Sequence, residues 1–318
     1  SSGISKDRLT PKLRQTAIAL WTIYVSLTVV CALAYYLSGM DVFDAVGHSF
    51  STVAIGGFST HDASIGYFDS ALIESIAIVF MFLAGINFSL HFVAWNNRSL
   101  VDYWKDSELK AYVVVLLVSV FIVLSVLNFN NEYQSFWTAM RHSLFQSVSM
   151  ATTTGFSSQN FSEWPNAAPV FLIMVSFTGA CVGSTGGGIK VVRVLLMFRL
   201  GMKEIKQFIH PNAQLNVKLN RSTVGEKTLV SVLGFFSLYT LSFVVILVLL
   251  MFTGMDQISS FSATAATMNN LGPGLGEVAQ NYGSLNDSAK WILSVSMLFG
   301  RLEVLTLIAL FHKAFWRY

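Results

Sequence analysis

Charge is what this chain has least of: Asp, Glu, Lys and Arg make up 12% of its 318 residues, against about 25% in a soluble domain. Hydrophobic residues reach 53% and the mean hydropathy is +0.59, so the polypeptide is built for lipid. Proline is scarce, 5 residues against 26 Phe, which suits long apolar helices and not the weak alternating pattern of a membrane β-barrel. Cys31 and Cys181 lie far apart in apolar runs, a spacing that matches neither a disulfide framework nor a metal site. The formal charge of +3 is too small and too thinly spread for nucleic acid to be the partner. An initiator Met and a signal peptide are also missing at Ser1, so the chain is expected to begin partway along a longer polypeptide.

What is there is apolar and periodic. Crossing the roughly 30 Å hydrocarbon core takes about 20 helical residues. Six runs approach that length: 16–38, 70–95, 109–128, 167–200, 227–254 and 288–315. Within each successive pair lies a stretch rich in Ser, Thr, Gly and Asn, at 41–66, 133–164 and 256–286. Each such stretch opens with a short amphipathic run, as at 41–51 and 136–150. This predicts re-entrant half-helices followed by extended backbone, which a membrane tolerates only where protein buries it or water lines it.

The few charges are sorted by side. The stretches 1–15, 96–110, 190–227 and 313–318 hold 17 of the 20 Lys and Arg. Asp41, Asp44, Asp62, Asp69, Glu132, Glu163, Asp256, Glu277 and Asp287 sit at the other ends with only Arg141 and Lys290. The excess of basic residues predicts that both termini of this segment are cytoplasmic and that the half-helices enter from outside. An acidic outer mouth concentrates cations; the same acids also serve as ordinary solvated loop residues.

The polar stretches repeat. Ala54-Ile55-Gly56-Gly57-Phe58-Ser59, Thr152-Thr153-Thr154-Gly155-Phe156-Ser157 and Asn269-Asn270-Leu271-Gly272-Pro273-Gly274 each follow a predicted half-helix. A second register places Gly85, Gly183 and Gly300 28 residues beyond Gly57, Gly155 and Gly272. The unit is helix, half-helix, extended loop, helix. Extended backbone turning at Gly presents carbonyl oxygens to a common axis, and such oxygens replace the water shell of a dehydrated cation. Half-helix C-termini add negative potential to that axis. Any one string alone is an ordinary outer turn; three in register build a filter. The predicted fold is therefore all-α and polytopic, with repeated units at 1–110, 111–225 and 226–318 around a central ion pore.

These strings, with Thr52-Val53 and Thr60 flanking the first and Gly183-Ser184-Thr185-Gly186-Gly187-Gly188-Ile189-Lys190 after the second, resemble the TrkH branch of the Trk/Ktr/HKT potassium transporters over the whole chain. The resemblance implies a bacterial inner-membrane protein with K+ as its ion. It implies that backbone carbonyls of Ala54, Ile55, Gly56, Gly57, Thr152, Thr153, Thr154, Gly155, Asn269, Asn270, Leu271 and Gly272 face potassium. Side chains of Thr152 and Asn269 either add an oxygen at the inner end or brace the filter from behind. The family builds its pore from four units in one chain. This sequence holds three, the missing one expected before Ser1, and by itself is not expected to conduct selectively.

The span 167–200 holds Gly179, Gly183, Gly186, Gly187 and Gly188 within ten residues, each costing about 1 kcal/mol in a helix interior. A break there is expected, distinguishing this span from its two counterparts. Gly179, Gly183, Ser184, Thr185, Gly186, Gly187, Gly188 and Lys190 are candidate gate residues, since in the resembling family this loop obstructs the pore; a tight crossing of small residues is the alternative. Lys190 also suits a snorkelling role. The run 183–188 opens like a phosphate loop, but Ile189 stands where that motif needs Lys, so no nucleotide is expected on this chain. Arg301, one residue past Gly300 in an apolar span, is either a barrier to cations below the filter or half of an ion pair, with Glu74 as its candidate partner and Glu303 too close to share its helix face.

Arg199, Lys203, Lys206, Lys218, Arg221 and Lys227 suit anionic lipid headgroups. The resemblance adds a cytosolic nucleotide-binding regulatory ring of the TrkA type and a homodimer. An enzyme is not expected: His48, His61, His91, His142, His210 and His312 fall at outer loops or helix ends, away from Ser184 and Cys181. Two rival transport readings stand: a proton- or sodium-coupled potassium symporter, with Glu74 as relay, and the pore subunit of a potassium-pumping ATPase.

Overall fold

A computed structural model describes residues 9–220, 222–302, 304–311 and 313–316. Arg221, Glu303 and His312 lie outside the described residues, as do the basic residues of 1–8 and 317–318.

The first unit runs α1 (Leu9–Leu37), α2 (Val42–Val53), α3 (Ala71–Ala84) and α4 (Phe88–Asn97), with a short α5 (Val101–Lys105) leading out of it. The second runs α6 (Ser107–Phe129), α7 (Phe136–Thr152), α8 (Ala168–Ser176) and α9 (Val191–Ile209). A small antiparallel hairpin, β1 (Lys218–Leu219) and β2 (Ser222–Thr223), precedes α10 (Glu226–Phe252), α11 (Gln257–Met268), α12 (Asp287–Arg301) and α13 (Val304–Phe311).

Local chemistry sets the boundaries. Asp41 caps α2 by accepting the Asp44 N–H at 2.7 Å, and Asp256 caps α11 through the Ile258 and Ser259 N–H groups at 2.9 and 3.2 Å. Asp106 does the same for α6 at the Leu109 N–H, 2.8 Å away. That helix therefore starts at Ser107, a few residues before the expected unit border at 110.

The packing is inside out relative to a soluble protein. Continuous apolar spans of 21, 23 and 27 residues in α1, α6 and α10 turn Trp21, Phe121 and Phe252 outward. The polar half-helices take the interior: Ser143, Gln146, Ser147 and Ser149 of α7 and Ser259, Ser260, Ser262 and Thr264 of α11 are buried. Several hydroxyls fold back onto their own helix, as Thr264 Oγ1 does to the Ser260 carbonyl at 2.8 Å and Thr267 Oγ1 to that of Ala263 at 2.7 Å. A polar helix sheds part of its hydration in this way, although the hydroxyls of Ser51, Ser143 and Ser147 remain buried without a partner. Apolar cores join neighbouring units as well as elements within one: Tyr35, Met81, Tyr112 and Phe145 share a cluster, and so do Leu127, Met150, Leu172 and Ala265.

The second span of every unit is interrupted, so the break at 177–190 is not peculiar to its unit. The run 70–95 divides into α3 and α4, bent by 91°, and 288–315 divides into α12 and α13. Only the middle interruption is long. The second glycine register marks these breaks loosely: Gly85 caps α3 and Gly300 lies in the last turn of α12, whereas Gly183 falls seven residues beyond the end of α8.

Candidate functional site: three backbone arms and the loop beneath them

Each buried half-helix ends in an arm with the same backbone conformation. Ile55, Thr153 and Asn270 carry φ of 55°, 65° and 55°, and Gly57, Gly155 and Gly272 carry 68°, 82° and 102°. The residues between and before them do not have positive φ. In a strand of one hand successive carbonyls point to opposite sides; alternation of hand turns them to the same side. The N–H groups close back on the half-helices: Gly56, Thr154 and Leu271 donate to the carbonyls of Ser51, Ser149 and Ala266 at 2.7, 2.8 and 2.7 Å. With donors spent inward, each arm offers an oxygen-only edge, under the negative end of its half-helix.

The arms abut one another. A Cβ on Gly57 would lie 1.9 Å from the Thr154 carbonyl oxygen, and one on Gly155 would lie 1.9 Å from that of Leu271. At Gly272 a Cβ would meet nothing within 4 Å. That open side belongs to a cavity of about 1790 Å³ lined by Ala54, Gly57, Asn270, Gly272, Met297 and Arg301 among others. The Tyr282 hydroxyl donates to the Gly272 carbonyl at 2.7 Å, so this outermost oxygen is shared with a phenol rather than reserved for an ion.

Side chains brace the arms from behind. His48 Nε2 pairs with Ser59 Oγ at 2.8 Å, and Gln146, at the equivalent position, donates to Ser157 Oγ at 3.2 Å. One turn earlier Thr60 donates to Asp44 at 2.6 Å, and His142 pairs with Ser158 at 3.2 Å. The Asn269 side chain is tied into the protein: Oδ1 accepts from the Tyr239 hydroxyl at 2.8 Å and Nδ2 donates to Ser176 Oγ at 2.9 Å, all buried. Thr152 Oγ1 likewise turns to the Val148 carbonyl at 2.8 Å and to Thr154 Oγ1 at 2.7 Å. Both side-chain oxygens are engaged by protein groups.

The glycine-rich loop, 177–190, lies against the inner end of all three arms. Thr185 Oγ1 donates to the Val53 carbonyl at 2.9 Å, and the Gly187 N–H donates to Thr153 Oγ1 at 2.7 Å. A Cβ on Gly186 would lie 2.9 Å from the Thr152 carbonyl oxygen, and one on Gly187 would lie 2.2 Å from that of Asn269. Glycine is needed at these two positions because backbone meets backbone there. Gly179, Gly183 and Gly188 have positive φ, as does Lys190, whose Nζ turns back to the Gly186 carbonyl. Ser184 Oγ closes a turn onto the Cys181 carbonyl.

Arg301 ends α12 with its side chain exposed to the same cavity as Ala54 and Asn270. It does not pair with Glu74. That carboxylate lies 3.3 Å from Arg141 Nε and 3.8 Å from His142 Nδ1, behind the second arm. Sequence reasoning named both Glu74 and Arg141 but could not join them, since 67 positions separate them and no pattern links a span to the next unit's half-helix. Tyr239, Ser176 and Tyr282 were missed outright; each is one polar group in a run with no repeat to mark it.

Against known proteins, a family model described as TrkH, a cation transport protein, matches residues 2–318. The Trk system potassium uptake protein TrkH of Escherichia coli K12 is 50% identical over 314 residues, covering 99% of this chain and 65% of that protein. TrkG of the same organism is 40% identical over 311 residues, covering 98% and 64%. The crystal structure of the potassium transporter TrkH from Vibrio parahaemolyticus superposes with a TM-score of 0.93 at 48% identity, covering 100% of this chain and 67% of that one. The chain thus spans about 65% of the length of the relatives it matches.

Proposed function

The chain belongs to the TrkH family of cation transport proteins, and from that premise we propose that it forms three sides of a potassium-selective pathway through the bacterial inner membrane. The observation that carries this reading is the interlocked arms, in which the glycine of one unit fits against the third carbonyl of the next. Such an edge supplies ligands for a dehydrated monovalent cation and needs no titratable side chain. Similarity to relatives that bear the name potassium uptake protein supports potassium as the ion. A fourth arm beside Gly272 would close the ring, with 1–110, 111–225 and 226–318 as the other three units.

The glycine-rich loop is read as the gate. Residues Thr185, Gly186 and Gly187 reach each of the three arms at its inner end, where a plug stops ions that have already passed the filter. Arg301, in the adjoining cavity, adds an electrostatic barrier to cations. The basic ends, including both ends of this segment, lie in the cytoplasm, where 199–227 receives a nucleotide-binding regulatory ring of the TrkA type on a homodimer.

The test is the reversal potential of the full-length protein in liposomes. A potassium gradient should set it at the Nernst value whatever the pH gradient. A dependence on the pH gradient would overturn passive movement in favour of coupled symport.

A further inference from the structure

Two charged side chains act on the glycine-rich loop: Lys190, from within it, and Glu108, which comes from another helix 74 positions earlier. Glu108 stands in the first turn of α6, is 9% exposed, and accepts the Val182 N–H on Oε1 at 2.7 Å. Val182 lies on the descending side of the loop, one residue before Gly183, whose φ is positive. A single carboxylate from another helix therefore holds the descending side of the loop.

The anchor itself is firm. Asp106 caps α6 two residues before Glu108, and the Ser107 N–H donates to Asn220 Oδ1 at 2.7 Å, which seats the β1–β2 hairpin on the same helix end. The neighbouring loop bonds are backbone to backbone, Cys181 N–H to the Gly85 carbonyl and Phe88 N–H to the Gly183 carbonyl, each at 3.0 Å. Glu108 is set apart from these by being charged and on a rigid span. Hydrogen bonds to a charged acceptor are roughly twice as strong as neutral ones.

We propose that Glu108 is a positioning residue that latches the glycine-rich loop against the inner end of the filter. It touches no ion; it acts through the loop. This rests on the reading of the loop as gate, and the test separates the two.

Three variants of the full-length protein in liposomes are compared in a background where Cys31 and any cysteine outside residues 1–318 are replaced by Ala, so that maleimide reports on Cys181, a buried neighbour of Val182. Glu108→Ala removes the acceptor and should raise both potassium flux and the Cys181 labelling rate about tenfold, the size of one charge-assisted hydrogen bond. Glu108→Gln keeps an acceptor oxygen and should bring both readings back near the parent, which a general loss of fold would not do. Deleting 184–187 removes the obstruction directly and should raise flux whatever Glu108 does. If the deletion raises flux while Glu108→Ala changes neither flux nor labelling, the latch is wrong and the gate stands. If the deletion leaves flux unchanged, the gate reading falls, and the labelling of Cys181 in Glu108→Ala still decides whether Glu108 holds the loop. Failure of Glu108→Gln to restore either reading would also overturn the latch.

Discussion

The Cβ that Gly57 lacks would fall 1.9 Å from the carbonyl oxygen of Thr154, in the arm of the next unit. The same distance separates a Cβ on Gly155 from the carbonyl oxygen of Leu271. The arms are thus packed together by contacts between units, glycine to carbonyl, and each of these two glycines is needed twice: for its left-handed φ and for the room it leaves.

Gly155→Ala should therefore cost more than strain. The left-handed conformation alone disfavours an L-residue by about 1–2 kcal/mol, and the methyl group must also push the third arm away from the axis. Potassium flux in the full-length protein should fall at least about tenfold, with relaxed discrimination against sodium. Flux and selectivity equal to the parent would show that the arms are not in contact.

Tyr239→Phe removes the hydroxyl that donates to Asn269 Oδ1 and leaves a buried amide oxygen short of a partner. The expected loss is about 1–3 kcal/mol, read as a lower thermal midpoint in detergent. Since Asn269 begins the third arm, potassium-over-sodium selectivity should drop with it. A stability loss without any change in selectivity would place the brace outside the transport path.

Glu74 and Arg141 form a half-buried pair across two units, the carboxylate 2% and the Arg141 side chain 27% exposed. Arg141→Met should destabilise by about 3 kcal/mol because it strands the charge, whereas Glu74→Gln combined with Arg141→Met should recover most of that. A double-mutant cycle on thermal stability measures the coupling. If Glu74 braces and does not relay protons, Glu74→Gln leaves the reversal potential at the potassium Nernst value.

Arg301→Ala removes a cation from the cavity that runs alongside the first and third arms. Potassium flux in the full-length protein should rise several-fold, on the order of the factor of ten that about 1.4 kcal/mol of barrier represents. Unchanged flux would leave Arg301 without a role in permeation.

Much of this was legible beforehand where local chemistry decides. The half-helices expected at 41–51 and 136–150 are α2, Val42–Val53, and α7, Phe136–Thr152, because an apolar face and a polar run ending in glycine suffice to mark them. The arm glycines Gly57, Gly155 and Gly272 all have the positive φ that their place in the repeat required. The interruptions at 85–87 and after Arg301 were missed because each is a single short break in an otherwise apolar run. One signal was available: Asn87, a polar residue inside such a run, caps α4 through the Ser89 N–H at 2.8 Å.

By itself the sequence determined lipid as the solvent, the place of the three continuous spans, the sorting of basic and acidic residues along the chain and the repeated arm. These are local or compositional properties, fixed by hydrophobicity, by helix length against bilayer thickness and by the φ that only certain residues adopt readily. Tertiary structure alone decided which groups meet: Gly57 with Thr154, Tyr239 with Asn269, Glu74 with Arg141 and Glu108 with Val182. Those partners come from different helices, brought together by burying polar half-helices inside an apolar shell, and no periodicity along the chain encodes a contact of that kind.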